Sequence, residues 1–202
     1  MEIFVVLLTG IVLGGAVYAY VGHRLSGRYP ILIFCNMMLY LCIYIIEGMT
    51  IQGMIFCLTT SVLLVIGVID WFTFEIPMAC NVVIGILGII HLALDRSHAL
   101  EYLAGALTVS LLFLLVYVLT KGQGIGGGDI KLMAAAGLLV GWKQILLALF
   151  VGSVIGSVIH LSLMKWQKRE RILAFGPYLA VGIFVSMLWG KEIISWYLAF
   201  FA

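Results

Sequence analysis

Asp70 and Asp129 are the residues of this chain best placed by type and position to do chemistry. Asp70 ends an apolar run and opens Asp70-Trp71-Phe72-Thr73-Phe74-Glu75-Ile76-Pro77. Asp129 closes the glycine run Gly126-Gly127-Gly128-Asp129, and another apolar stretch follows at once. Ionisable residues in or beside membrane segments are costly and mark functional sites by default. Two carboxylates brought together can share one proton, so that one acts as base and the other as acid. That is the chemistry of an aspartic protease, here at the edge of a bilayer. Asp70 also stands where a carboxylate would face the negative end of a helix dipole. A place so poor for an anion suits a group that serves as an acid.

The elements that must hold these groups are read from hydropathy. The chain is 64% apolar and 10% charged, with a mean hydropathy of +1.23, whereas soluble domains carry about 25% charged residues. This composition implies an all-α, polytopic integral membrane protein. Apolar runs at roughly 3–22, 31–47, 51–69, 78–94, 100–119, 130–141, 144–164 and 174–190 predict eight spans. Most have the ~17–25 residues that cross a hydrocarbon core. The sixth is short, rising only ~18 Å as a helix, so the glycine loop before it is expected to dip inward, where the backbone must be buried or line a wet cavity. The segment after 190 is expected to lie at the interface or pack back on the bundle.

With eight spans, the loops at 23–30, 70–77, 120–129 and 165–173 share one side. They and their borders carry Arg24, Arg28, Lys121, Lys131, Lys165, Lys168, Arg169 and Arg171, against Arg96, Lys143 and Lys191 on the other. The positive-inside rule puts the first set in the cytoplasm. Asp70 and Asp129, 59 residues apart in sequence, then meet at the cytoplasmic face. No internal repeat or long linker is visible, and residues 1–202 read as a single membrane-embedded domain. Glu2 precedes the first apolar run in place of a basic region, which reads as a span and not as a signal peptide.

Other features narrow the function. The net charge of +2 is not gathered into a nucleic-acid patch. Cys35, Cys42, Cys57 and Cys80 form no C-x-x-C pair, so metal-site spacing is absent. In Gly122-Gln123-Gly124-Ile125-Gly126-Gly127-Gly128-Asp129, Gly126 and Gly128 permit close approach of a substrate peptide. The bland alternative is a turn ending in an N-cap aspartate. A phosphate cradle is disfavoured by the acidic residue and the missing P-loop Lys-Ser/Thr. Glu75 is either a solvated loop residue or a contact for a basic substrate segment, and Pro77 suits a helix start. His91 and His160 read as core histidines. Glu47 lies at the far end of its span, and Trp142, Trp166, Trp189 and Trp196 read as interfacial anchors. Gly152-x3-Gly156 offers a small-residue packing face.

Taken together, Asp70-x6-Pro77 with Glu75-Ile76-Pro77, Gly126-x-Gly128-Asp129, Lys131 and Ala134-Ala135-Ala136-Gly137 resemble the type IV prepilin peptidases, GxGD-type membrane aspartyl proteases. Ser26-Gly27-Arg28-Tyr29-Pro30 and Phe175-Gly176-Pro177-Tyr178-Leu179 also resemble segments of that family. The resemblance implies that Asp70 and Asp129 are the catalytic dyad, without metal or organic cofactor. It implies substrates that are prepilins or pseudopilins, cut on the cytoplasmic side between a short basic leader and an apolar N-terminal helix, often after glycine and before phenylalanine. The enzyme would sit in the cytoplasmic membrane of a prokaryote.

One departure is informative. Many bacterial members carry a cysteine-rich cytoplasmic region between the first two spans, and bifunctional members also methylate the new N-terminus. Here that loop, Val21 to Tyr29, has no cysteine, so peptidase activity alone is expected. The alternative from another class is a small proton- or cation-coupled transporter with both aspartates as proton carriers. It fits less well, because no inverted repeat is apparent. The presenilin and signal-peptide-peptidase branch is disfavoured because Ile69, not tyrosine, precedes Asp70.

Overall fold

The computed structural model describes residues 1–167 and 174–200, with side chains of the seventh helix described through Ser162. Lys168, Arg169 and Arg171 of the basic set lie outside the described residues, as do the side chains of Lys165 and Trp166. Among the described residues there is no strand. The helices are α1 (Glu2–Leu25), α2 (Ile31–Glu47), α3 (Ile51–Thr73), α4 (Met78–Leu94), α5 (Ala99–Leu119), α6 (Gly127–Val140), α7 (Trp142–Gln167) and α8 (Gly176–Phe200), with one 3-10 turn at Arg96–His98. Five are long and apolar enough to cross a membrane by length and composition: α1, α3, α5 with its preceding turn, α7 and α8. Two more, α2 and α4, are apolar and shorter. The protein is a multi-pass membrane protein.

Local chemistry sets the helix ends. Gly48, at φ 66°, closes α2, and Thr50 caps α3 by accepting the Gly53 N–H at 2.9 Å. Pro77 precedes α4, where its missing N–H removes no helical bond. Gly141, at φ 88°, separates α6 from α7.

Three boundaries differ from the hydropathy reading. Helix α3 runs past Asp70 to Thr73 and ends at Phe74 in the left-handed conformation, so the aspartate sits inside the last turn. Helix α6 starts at Gly127, three residues before the apolar run begins. Helix α8 continues unbroken through Lys191 and Glu192 to Phe200 and does not stop near 190. The two charged side chains are exposed, which is why they leave the helix intact. The glycine loop also differs: Lys121–Gly124 is exposed and only its last residues enter the protein.

Close contacts fix the direction of each helix. Gly10 and Gly14 of α1 face Met37 and Ile33 of α2, which makes the pair antiparallel. Asn36 donates to the Gly10 carbonyl at 3.0 Å and accepts from Ser61 of α3 at 2.8 Å, with Tyr40 at 2.9 Å from the same hydroxyl. Each bond is fully buried in apolar surroundings, where such pairs contribute about 0.6–2 kcal/mol. Gly105 of α5 meets Gly137 of α6 backbone to backbone. Gly152 and Gly156 of α7 receive Tyr178 of α8, in keeping with the small-residue face read from sequence. One hydrophobic cluster draws on all eight helices, with Ile66, Ile84, Leu132, Leu139, Ile145 and Leu179 among its most buried members. The alternation brings the C-terminal ends of α3 and α5 and the N-terminal ends of α4, α6 and α8 to one end of the bundle.

Candidate active site

At that end the two aspartates are carried by different helices, Asp70 in the last turn of α3 and Asp129 in the first turn of α6. Both are buried, 5% and 9% exposed. Among the described residues neither has a cationic partner; the ion pair there, Asp95–His98, is at the far end.

Asp70 is held by the start of α8. The Gly176 N–H donates to Asp70 Oδ2 at 2.9 Å, so this carboxyl sits at a helix N-terminus, where free N–H groups and the dipole favour negative charge. A Cβ at 176 would lie 2.8 Å from that oxygen, so the contact requires glycine. One turn earlier on α3, Gly67 packs on Pro177. The phenylalanine before Gly176 docks against α5, the ring centroids of Phe113 and Phe175 lying 6.1 Å apart.

Asp129 occupies the third position of α6, not the N-cap that a simple turn would give it; the N-cap is Gly126. Its Oδ2 reaches back to accept the Gly126 N–H at 3.3 Å, half of a capping box. Its Oδ1 is buried without a partner among the described residues. A Cβ at Gly126 would stand 3.0 Å from Oδ2, one at Gly128 would stand 3.0 Å from Ile76 Cβ, and one at Gly127 would meet nothing within 4 Å. Thus a side chain at either glycine of the G-x-G-D pattern would meet a close neighbour, and one at the middle position would not. Ile76 reaches Gly128 from the loop between α3 and α4, and Asn81 of α4 donates its Nδ2 to the Gly128 carbonyl at 3.2 Å. Glu75 is exposed on that loop, and Tyr29 stacks obliquely on Phe72 at 6.0 Å.

Sequence reading paired the aspartates and the glycine loop but gave no role to Gly176 or Asn81. The Phe-Gly-Pro segment carried the signal for the first, as a glycine at a helix start on the correct side. For Asn81 the signal was a lone amide near the start of an apolar helix.

Residues 57–161, which contain both aspartates, match the model described as the Type IV leader peptidase family. This chain belongs to that family. The Prepilin leader peptidase/N-methyltransferase of Bacillus subtilis is 30% identical over 182 residues, covering 88% of this chain and 72% of that protein. The protein of the same name from Aeromonas salmonicida is 36% identical over 99 residues, 48% of this chain and 34% of the relative. That from Legionella pneumophila is 36% identical over 100 residues, 48% and 35% of the two chains. The matched stretch therefore spans about a third of the length of several of these relatives. No solved structure matches the chain.

Proposed function

We propose that this leader peptidase family member is a prepilin leader peptidase, an aspartic endopeptidase with Asp70 and Asp129 as its catalytic pair. The observation that carries this reading is the burial of two carboxyl groups from α3 and α6 at one end of the bundle, neither of them paired with a cation among the described residues. Two such groups divide one proton more readily than they ionise together. The ionised member takes a proton from a water as it attacks the scissile carbonyl, and the protonated member donates to the carbonyl oxygen. Collapse of the tetrahedral diol then passes a proton to the leaving amine and restores the pair.

The substrate is a prepilin or pseudopilin whose apolar helix lies laterally against the bundle in the lipid, with its basic leader at the cytoplasmic surface near Glu75. Gly126 and Gly128 line the approach of the scissile segment. Residues 1–202 act as one peptidase unit in a prokaryotic cytoplasmic membrane. The short loop after α1 supports cleavage without methyl transfer, although the relatives' names pair the two activities. The position of the aspartates at helix ends, not at mid-span, favours a peptidase over a proton-coupled transporter.

The test is cleavage of a prepilin bearing its own leader and apolar helix by purified wild type, Asp70→Asn and Asp129→Asn. The expected result is cleavage at the glycine boundary by wild type and a loss of about a thousandfold or more in each folded variant. Turnover retained by either variant removes that residue from the mechanism. Absence of cleavage by folded wild type across several prepilins overturns the reading.

A further inference from the structure

Asn81 is the fourth residue of α4 and 5% exposed, in a helix that is otherwise apolar around it. A buried amide is costly unless its donors and acceptor are met. The Nδ2 group is met: it donates to the carbonyl of Gly128 at 3.2 Å, and Gly128 is the residue before Asp129. The other side of Gly128 is occupied by Ile76, whose Cβ lies 3.0 Å from where a Gly128 Cβ would be. One short segment, Ile76 to Asn81, therefore grips the Gly128 peptide by a contact and by a hydrogen bond. That segment is the direct continuation of the helix carrying Asp70.

Among the described residues the Oδ1 of Asn81 is buried without a partner, and so is the Oδ1 of Asp129. An amide oxygen and a carboxylate oxygen are both acceptors and cannot satisfy each other. Either is satisfied by an O–H, which a protonated aspartate or an attacking water supplies. A side chain kept for packing alone would bring no unmet acceptor into the buried end of the bundle. Leucine, of similar volume, would fill this position without one.

We propose that Asn81 is a positioning residue for the peptidase: it anchors the Gly128 carbonyl and, through that peptide, aims the carboxyl group of Asp129 toward Asp70. This role rests on the proposed function, in which Asp129 is one of the catalytic pair. Asn81 acts through Gly128 and does not itself need to touch the substrate.

The experiment compares wild type with Asn81→Leu, and with Asn81→Ser as the milder variant should leucine impair folding. Three readouts are taken: kcat and KM for a prepilin, thermal unfolding in detergent, and amide hydrogen exchange over residues 124–130. Misplacing a reacting group by about 1 Å costs on the order of a hundredfold, so kcat is expected to fall about 10- to 100-fold with KM within about threefold. Exchange at 124–130 is expected to quicken about tenfold or more, since that loop loses its anchor while the remaining helices keep theirs. Unchanged kcat, a rise in KM alone, or unchanged exchange at 124–130 in the folded variant overturns the assignment. If wild type itself cleaves no prepilin, the proposed function fails separately, and the exchange measurement alone decides whether Asn81 anchors the loop.

Discussion

Gly176→Ala puts one methyl group against the carboxylate of Asp70. The added Cβ would lie 2.8 Å from Oδ2, 3.0 Å from Cγ and 3.1 Å from Cβ of Asp70. These are not the far end of a flexible chain, because the aspartate is short and hangs from the buried last turn of α3. Either the carboxyl turns away or the start of α8 retreats, and both break the 2.9 Å bond from the Gly176 N–H. A hydrogen bond to a charged group contributes about 1.5–3 kcal/mol. At 1.36 kcal/mol for each factor of ten, that loss corresponds to about 10- to 150-fold in rate.

Stability is expected to fall by less than this, since alanine exceeds glycine in helix propensity by about 1 kcal/mol and offsets part of the lost bond. The assay is prepilin cleavage with kcat and KM resolved, alongside thermal unfolding in the same detergent. Gly127→Ala is the control, because its Cβ meets nothing within 4 Å. The expectation is a fall of about 10- to 150-fold in kcat for Gly176→Ala, a modestly lowered melting temperature, and unaltered kinetics for Gly127→Ala. A Gly176→Ala enzyme within about threefold of wild type, against the loss computed from the broken bond, refutes the claim that this N–H holds Asp70. An equal loss in Gly127→Ala refutes it too, by showing that the effect is not one of local contact.

Two further predictions address other parts of the chain. Glu75→Gln should slow cleavage of strongly basic leaders more than neutral ones, because Glu75 is exposed on the loop between the two motif segments; competition between two synthetic prepilins checks this, and equal slowing counts against an electrostatic role. At the opposite end, Asp95 accepts from Ser97 at 2.6 Å, His98 at 3.0 Å and Tyr102 at 2.7 Å, and these bonds hold its carboxyl below the usual carboxylate range. A lowered folded value means a stabilisation present above the unfolded value of about 3.9 and lost as pH falls further. Asp95→Asn should therefore leave cleavage unchanged and lower the melting temperature slightly at pH 7, with the gap to wild type closing below about pH 4. A gap that persists at low pH would show that the network acts through packing and not through charge.

The number and order of the helices were legible in the sequence, because apolar runs broken by short polar segments leave little other choice in lipid. The ends of α3, α6 and α8 were not. Hydropathy stops at a charged residue, whereas a helix stops where its backbone is capped or turned. Asp70 does not end α3 because it finds a donor in Gly176 of α8, 106 residues further along the chain, and no window along the sequence contains both. Asp129 falls inside α6 because its carboxyl reaches back to Gly126. The same reasoning explains the two residues left without a role. Gly176 contributes only a backbone N–H, and Asn81 acts only through the carbonyl of Gly128.

The glycines beside the aspartates show why pattern and cause can part. A glycine-rich loop reads as conformational freedom, and for Gly122 that holds, with φ of 79°. Gly126 and Gly176 are different. Gly126 is extended at φ −73°, and neither is among the residues at positive φ, so a larger residue could adopt the backbone of each. What excludes it is the carboxylate that each glycine serves. At both places an N–H donates to an aspartate Oδ2, and at both a Cβ would come within 3.0 Å of that same oxygen. The Gly126-x-Gly128-Asp129 motif and the Phe175-Gly176-Pro177 segment are thus two uses of one device, a helix start stripped of its Cβ so that its first free N–H can meet a buried acid. Each supplies a hydrogen bond to one member of the pair without bringing in a cation. A lysine or arginine in their place would fix both carboxyl groups as anions, and a pair fixed in that way could no longer divide a proton between them.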